Sequence, residues 1–96
     1  MTDRIIDLTS AITVKVRSST AFVQLGTNED IIMGPNERGS IEGKHSFHEK
    51  GIGTMGGNIN PSWSGRLTIE LMVFGELDIK KGDKIAHAII REWNPK

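Results

Sequence analysis

The segment 66–71 alternates strictly between polar and apolar side chains, and this alternation constrains the fold more than any other feature of the sequence. Its members are Arg66, Leu67, Thr68, Ile69, Glu70 and Leu71. A period of two places the apolar side chains on one face of a β-strand and the polar ones on the other. We therefore predict a half-buried strand that Gly75 ends, with the carboxylate of Glu70 on the polar face.

Short strand-forming runs recur along the rest of the chain. Strands are predicted over residues 13–17, 21–25, 31–33, 40–42 and 84–91, with turns or loops at 18–20, 26–30, 34–36 and 81–83. Residues 2–10 are of mixed character and form either a lead-in strand or an arm. Segment 43–50 has room for one or two helical turns, and 51–61 has too many glycines for regular structure throughout. Turn signals every ~8–12 residues are typical of an all-β sandwich or barrel. The strand over 84–91 is expected to return beside the strand that begins at Arg66.

The length and composition limit the class of protein. A single domain of 96 residues without cysteine has a small core and no disulfide to reinforce it, which favours self-association. Its twelve basic and twelve acidic residues balance, and no basic stripe typical of nucleic-acid binders is visible. Its apolar runs fall short of the ~18 residues of a membrane span, and the N-terminus lacks the apolar core of a signal peptide. We expect a cytoplasmic protein without a nucleic-acid or membrane partner.

Three segments resemble motifs of one superfamily. Residues 60–71, NPSWSGRLTIEL, resemble the I-D-P-G-W-x-G-x-x-x-L-E segment of dCTP deaminases. Residues 82–90, GDKIAHAII, resemble the G-D-R-I-A-Q-L-I segment of dUTPases, which share the same fold. Residues 27–52 are similar to the segment of that superfamily which includes G-R-S-S-x-x-R-x-G, so that the resemblance runs from about Phe22 to Trp93.

The resemblance implies a fold and an assembly. It implies an all-β, dUTPase-like distorted jelly roll or barrel that forms one domain over 1–96, with a lead-in arm over 1–12 and a tail over 94–96. It also implies a homotrimer whose sites lie between subunits.

Glu70 is the predicted catalytic residue. Segment 60–71 resembles dCTP deaminases, and in those enzymes the position of Glu70 carries the general base that activates water for attack on cytosine C4. The alternative is a solvated strand glutamate that faces Lys or Arg on the next strand. dUTPases do not usually place a carboxylate here, so Glu70 favours the deaminase branch.

Residues 58–63 are similar to the loop that frames the base and sugar in the superfamily, which implies Asn58, Asn60 and Trp63 as ligand-binding residues. Asn60 stands where the family usually has Asp. An amide keeps the hydrogen bonding of a carboxylate but cannot accept a proton, which weakens the dUTPase interpretation. Pro61 and Trp63 have a structural alternative, in which Pro61 fixes a turn and Trp63 fills the core.

Residues 43–51, GKHSFHEKG, are similar to the phosphate segment G-R-S-S-x-x-R-x-G. Lys44 falls on the first arginine, and His45 and Ser46 fall on the two serines, so the resemblance implies these three as ligand-binding residues. A lysine such as Lys44 contacts a phosphate as a point charge and lacks the bidentate hydrogen bonds that an arginine forms. Glu49 falls on the second arginine. A carboxylate there repels phosphate, which weakens the phosphate binding that the resemblance implies.

The last two candidate residues, His87 and Trp93, lie near the C-terminus. His87 falls on a glutamine that contributes to phosphate binding from a neighbouring subunit, and an interface histidine is the alternative. Trp93 is expected to cover a sheet edge or a subunit contact.

Two further letter patterns do not predict a site. Residues 51–56 fit G-x-G-x-x-G, but 57–61 cannot open the helix that a dinucleotide fold requires. His45 and His48 form H-x-x-H without a third ligand at a defined spacing, so we expect no protein-bound metal. The absence of cysteine excludes the mechanism of the zinc deaminases.

The resemblance implies a pyrimidine deoxynucleotide-handling protein, as a dCTP deaminase or dUTP diphosphatase-like hydrolase whose nucleotide (dCTP- or dUTP-like) arrives with Mg²⁺. Asn60, Glu49 and the lack of the family's Gly-rich C-terminal arm favour an alternative, a catalytically inactive homotrimer that binds or sequesters a nucleotide. A further alternative is a purely structural trimer that binds no nucleotide. Whether the chain is an enzyme stays open at this point.

Overall fold

The computed structural model describes residues 3–55 and 57–92, except for the side chains of residues 18 and 19. Within these residues the elements are β1 (Arg4–Thr9), β2 (Val14–Ile32), β3 (Glu37–Gly43), α1 (His45–Glu49), β4 (Ile52–Met55), β5 (Asn58–Ile59), β6 (Ser64–Ile79) and β7 (Lys84–Glu92). The predicted all-β class and the helical turn within 43–50 are confirmed. No helix in the described ranges is both long and apolar enough to cross a membrane.

The strands form two antiparallel sheets that share one core. The strand order is β1-β7-β3-β5 in the four-stranded sheet and β2-β6-β4 in the three-stranded sheet. Leu8 and Ala88 from the first sheet belong to the same buried cluster as Leu25 and Leu71 from the second. This two-layer arrangement buries one face of each amphipathic sheet.

The alternation in β6 is confirmed. Leu67, Ile69 and Leu71 are buried, whereas the residues between them are exposed. The prediction that Gly75 ends the strand is wrong, since β6 continues to Ile79. Gly75 adopts a φ of +120° opposite Ser19, beside a change of register, and so serves a bulge rather than a turn.

The long strand β2 replaces three predicted short strands. The turn at 18–20 and the loop at 26–30 are wrong, because both segments lie inside Val14–Ile32 as irregularities of its pairing with β6. Between the pairs Gly26–Thr68 and Asp30–Arg66, β2 advances four residues while β6 advances two. Turn-forming residues therefore mark a change of register here.

Thr27 supplies the hydrogen bonds that this second irregularity removes from the ladder. Its side chain is 1% exposed, and Oγ1 donates to Leu67 O at 2.8 Å and accepts from Leu67 N at 3.2 Å. The backbone groups of Leu67 thus keep partners in a buried position, as buried polar groups require.

The turn before β7 is confirmed, but the expected pairing of β6 with β7 is wrong. Asp83 N donates to Lys80 O at 2.9 Å, and Gly82 has a φ of +91°. The turn carries the chain from one sheet to the other, where β7 lies between β1 and β3. The run from Ile85 to Ile90 is largely buried on both faces, which suits a central strand better than a hairpin arm.

Candidate functional site

Glu70 lies at the middle of the three-stranded sheet, on its exposed face. It is opposite Gln24 of β2 and Met55 of β4. Gln24 Nε2 donates to Glu70 Oε1 at 3.3 Å, and both side chains line a depression of about 330 Å³ together with Phe22 and Val23. The alternative that Glu70 faces a Lys or Arg is wrong, because its neighbours on both strands are uncharged. Its role as a base stays a prediction.

β5 and the loop after it carry the predicted base and sugar residues. Asn58 and Asn60 line a depression of about 250 Å³ together with Arg38 and Pro61. Trp63 N donates to Asn60 O at 3.2 Å, which closes a four-residue turn. Pro61 occupies the second position of the turn, and Ser62 occupies the third with a φ of +66°. These are features of a type II turn, in which the third position is left-handed and a serine is strained.

The turn 60–63 is held against the end of β2. Ser62 N donates to Gly34 O at 3.0 Å, and Met33 N donates to Trp63 O at 2.8 Å. Trp63 is 36% exposed and its Nε1 donates to Gly65 O at 3.1 Å, so the alternative that it fills the core is wrong. Its part in ligand binding stays a prediction.

Glu37 fixes the backbone on which this turn rests. Its Oε1 accepts from Gly34 N at 2.8 Å and from Arg4 Nη2 at 2.9 Å. The hydrogen bond from Gly34, and after it the Arg4 guanidinium, hold the pKa of the Glu37 carboxyl below its ordinary value of 4.5. Gly34 is therefore bonded through its N–H to Glu37 and through its carbonyl to Ser62.

The predicted phosphate residues precede and begin α1. Phe47 is buried and anchors the helix, and Lys44 Nζ lies 5.6 Å from the centre of its ring. His45 Nε2 lies 3.1 Å from Glu49 Oε1. Ser46 is half-buried on the same turn. Their role in phosphate binding stays a prediction, and His45 already has an acidic neighbour.

His87 lies between two acids on the outer face of the four-stranded sheet. Its register partners are Asp7 of β1 and Glu42 of β3, and its Nε2 is 3.2 Å from Glu42 Oε2. Asp7 pairs with Lys84 Nζ at 3.0 Å. In this environment His87 is a hydrogen-bonded strand residue, and its part in phosphate binding stays a prediction.

The structure joins some of these residues and separates others. Gly43, which precedes Lys44, packs against Thr54, and the next residue, Met55, is opposite Glu70. β4 therefore lies between the phosphate segment and Glu70. Trp63, in contrast, precedes Glu70 by seven positions along an extended chain, about 23 Å at roughly 3.3 Å per residue. A small ligand at Trp63 does not reach Glu70 of the same chain.

Sequence reasoning missed two neighbours of the site. Arg38 lines the depression at Asn58 and Asn60, and Gln24 is bonded to Glu70. Alternation along each strand predicts that Arg38 and Gln24 point outward, but only the pairing register shows which residues they meet. Trp93 lies outside the described residues, as does the tail 94–96.

The comparisons with known proteins identify the family of this chain. The sequence matches the family model described as dUTPase over residues 2–94. The chain belongs to the dUTPase family. No curated protein sequence matches it.

Several solved dUTPase structures resemble the fold of this dUTPase-family chain. Native EIAV dUTPase has a TM-score of 0.77 and 23% identity, covering 94% of this chain and 76% of that one. A mutant of the Staphylococcus bacteriophage 80alpha dUTPase with dUpNHpp has a TM-score of 0.77 and 20% identity, covering 94% and 77%. A mutant dUTPase from phage phi11 of S. aureus, described with a structural Mg(II) ion, has a TM-score of 0.78 and 18% identity, covering 94% and 78%. At these identities the likeness shows the fold alone.

Proposed function

We propose that this chain binds a pyrimidine deoxynucleoside triphosphate, dUTP or dCTP, at sites formed between copies of itself in a homotrimer. The observation that carries the proposal is the hydrogen-bonded turn that begins at Asn60. Asn60 and Asn58 line one depression together with Arg38. Amide groups both donate and accept, which suits the edge of a pyrimidine. Trp63 adds an apolar surface of the kind that covers a sugar.

The separation of the predicted residues within one chain supports the proposal of sites between copies. The loop 58–63 and the base Glu70 lie about 23 Å apart along β6, whereas the phosphate segment lies across β4 from Glu70. A ligand that meets all three groups requires the loop of one chain to face Glu70 and Lys44 of another.

In the deaminase version of this proposal, Glu70 takes a proton from water as the oxygen attacks C4 of cytosine. The same carboxyl returns the proton to the amino group, which leaves as ammonia when the C–N bond breaks. Lys44 and Ser46 hold the phosphates during this step by charge and by a hydroxyl donor.

Mg²⁺ is part of the substrate in this proposal, carried by the phosphates. The described residues contain no group of three or more His, Asp or Glu side chains placed to hold a metal ion. Mg²⁺ prefers octahedral oxygen ligands, and phosphate oxygens with water provide them.

A nucleotide panel tests the proposal. Thermal unfolding is measured with dUTP, dCTP, dUMP and, as a purine control, ATP, each with Mg²⁺. A ligand present at about 100 times its Kd stabilises the folded state by ~2.7 kcal/mol, so dUTP or dCTP is expected to raise Tm while ATP leaves it unchanged. An unchanged Tm with every pyrimidine nucleotide contradicts the proposal and supports the purely structural trimer.

Binding without turnover is the second candidate, and two observations favour it. Glu49 lies 3.1 Å from His45 within the phosphate segment, where a carboxylate repels an anion. Asn60 cannot accept a proton from water. Calorimetry decides between the candidates: intact nucleotide recovered after tight binding supports sequestration, whereas release of ammonia or pyrophosphate supports catalysis.

A further inference from the structure

Two of the three methionines in the described part of the chain lie beside Glu70 on the exposed face of the three-stranded sheet. Met55 of β4 is directly opposite Glu70, and Met72 follows Glu70 by two positions on the same face of β6. The third methionine, Met33, belongs to the core. Methionine is a common target of oxidation, and the chain has no cysteine that would react first. The position of these two thioethers therefore has a chemical consequence for Glu70.

The three methionines differ in their access to solvent. Met55 is 48% exposed, Met72 is half-buried and Met33 is 5% exposed. Met55 also lies on β4, which is at the edge of the sheet. Met72 lies on the central strand opposite Phe22, where a thioether contacts an aromatic ring favourably. Because an oxidant has to reach the sulfur, Met55 is expected to react before the other two.

We propose that Met55 is a site of reversible oxidation by hydrogen peroxide and that its sulfoxide changes the environment of Glu70. The thioether sulfur attacks one oxygen of the peroxide, so that an S–O bond forms and the O–O bond breaks. The sulfur is oxidised and the peroxide is reduced, and the second oxygen takes up the proton and leaves as water. Methionine sulfoxide reductase reverses the change. In that reversal the sulfoxide oxygen leaves as water, while a dithiol is oxidised to a disulfide.

The consequence for Glu70 follows from the strand register. Side chains that are directly opposite each other on an antiparallel pair have Cβ atoms about 4.5–5.5 Å apart, so Met55 and Glu70 are within contact distance. A sulfoxide oxygen only accepts hydrogen bonds, as the ionised carboxylate does. The two groups therefore cannot bond to each other, and a polar acceptor replaces an apolar neighbour of Glu70. The effect on nucleotide binding rests on the proposed function, in which Glu70 contacts the bound nucleotide.

The proposed nucleotide site keeps Met55 accessible to the oxidant. A nucleotide that contacts Glu70 has to approach the exposed face of β6, and Met55 is opposite Glu70 on that same face. Hydrogen peroxide is far smaller than a nucleotide. An opening that admits a nucleotide to Glu70 therefore admits peroxide to Met55.

Peptide mapping of the oxidised protein tests the site of modification without nucleotide. Cleavage after lysine and arginine places Met33, Met55 and Met72 in separate peptides, which are 18–38, 51–66 and 67–80. The folded protein is treated with hydrogen peroxide, and mass spectrometry follows the gain of one oxygen atom in each peptide. Met55 is expected to react about 10-fold or more faster than Met33, because the packed core excludes the oxidant, and urea is expected to remove the difference. Equal rates in the folded protein, or faster oxidation of Met72 than of Met55, overturn the proposal.

NMR of the same samples tests the effect on Glu70. The carboxyl carbon of Glu70 is observed in protein labelled at glutamate, and Glu70→Gln assigns its resonance. Oxidation is expected to move this resonance in the wild type, and the reductase is expected to restore it. Met55→Leu keeps the volume and apolar character of the side chain but cannot be oxidised, so its resonance is expected to stay in place. Met72→Leu is the matched control, in which the movement is expected to persist. A resonance that does not move in the oxidised wild type overturns the proposal.

Nucleotide binding distinguishes this proposal from the proposed function. Oxidation of the wild type is expected to weaken the binding of dUTP or dCTP by about 10-fold, the effect of losing one hydrogen bond, while Met55→Leu keeps its affinity under peroxide. If no nucleotide raises Tm although oxidation moves the Glu70 resonance, only the proposed function fails. If a nucleotide binds equally well before and after complete oxidation of Met55, the control of the site by Met55 fails and the proposed function stands.

Discussion

Glu70 and Gln24 are opposite each other on antiparallel strands, and Gln24 Nε2 donates to Glu70 Oε1 at 3.3 Å. A neutral amide, rather than an arginine or lysine, is therefore the partner of the predicted base. The amide donor orients the carboxylate by a hydrogen bond and adds no charge beside it. This orientation suits a group that contacts a water molecule in the proposed reaction.

Glu70→Gln is expected to abolish turnover while it preserves the fold. If the chain deaminates dCTP, we expect kcat to fall by about 10²–10⁴, the usual contribution of a general base. Nucleotide binding and the free energy of unfolding are expected to change little, within roughly 0.5 kcal/mol for an exposed position. Glu76→Gln, an exposed glutamate of the same strand, is the control. Turnover of Glu70→Gln at the wild-type rate rules out Glu70 as the base.

Thr27→Val is expected to destabilise the fold although it preserves the shape of the side chain. Thr27 Oγ1 bonds both backbone groups of Leu67 where the register of β2 and β6 changes. Valine leaves these buried groups without their partner, which costs about 1–3 kcal/mol. Urea unfolding measures the loss, and Thr68→Val on the exposed face of β6 is the control. Equal stability of the two variants contradicts this role of Thr27.

Gly43→Ala is expected to disturb the approach of β3 to β4 directly before Lys44. A Cβ on Gly43 lies 2.6 Å from Thr54 Cβ, far inside van der Waals contact. The overpacking is expected to cost about 1–3 kcal/mol in the free energy of unfolding. Gly57→Ala is the matched control, because a Cβ there meets no heavy atom within 4 Å. Equal midpoints of unfolding for both variants exclude a close contact between β3 and β4.

Periodicity predicted the parts of the fold that depend on one strand at a time. The alternation around Ile69 gave the buried and exposed faces of β6 correctly, and the turn at Gly82 was placed correctly. Both follow from local chemistry, since alternation reports burial and Lys-Gly-Asp is turn-forming. The all-β class follows from many such local signals.

Pairing was harder to predict, because it depends on residues far apart in the chain. Segments 18–20 and 26–30 contain turn-forming residues, yet both lie inside the long strand β2. The register between β2 and β6 changes at each of them, opposite Gly75 in the first case and at Thr27 in the second. Nothing in the local sequence distinguishes a bulge from a turn when the partner strand is unknown. The same limit concealed Gln24 as the neighbour of Glu70. The resemblance identified the candidate positions, and the register placed them relative to each other.

The pH dependence of stability is expected to include a contribution from Glu37. The hydrogen bond from Gly34 and the charge of Arg4 lower its pKa in the folded state below 4.5. The folded state therefore favours the charged carboxylate, and this stabilisation is present above pH 4.5 and is lost as the pH falls through the lowered pKa. Glu37→Gln is expected to have a lower Tm than the wild type at pH 7, with a difference that narrows below pH 4.5.

Thermal unfolding from pH 7 to pH 3 measures this effect, with Glu76→Gln as the control for an exposed glutamate. A Tm difference between wild type and Glu37→Gln that stays constant below pH 4.5 contradicts the contribution of Glu37. Because Gly34 also holds Ser62, nucleotide binding is expected to weaken in Glu37→Gln at neutral pH.

Asn60→Asp distinguishes a binding protein from a catalyst. Asn60 lies at the first position of the turn that Trp63 closes, and its side chain lines the depression shared with Asn58. Aspartate has nearly the same shape, so the turn is expected to persist, while the new carboxylate can accept a proton from water. If the chain binds dUTP without hydrolysis, Asn60→Asp is expected to gain pyrophosphate release by about 10²-fold or more over the wild type.

The control for this gain is Asn58→Asp, which places the same charge two residues away on β5. Only the carboxylate at position 60 is expected to produce turnover, because the family's aspartate stands there. Two outcomes contradict this prediction: equal pyrophosphate release from both variants, or no release from either while dUTP still raises Tm. Each means that residue 60 does not hold a water molecule in place to attack the nucleotide. Binding in this chain then depends on the turn as a hydrogen-bonding surface alone.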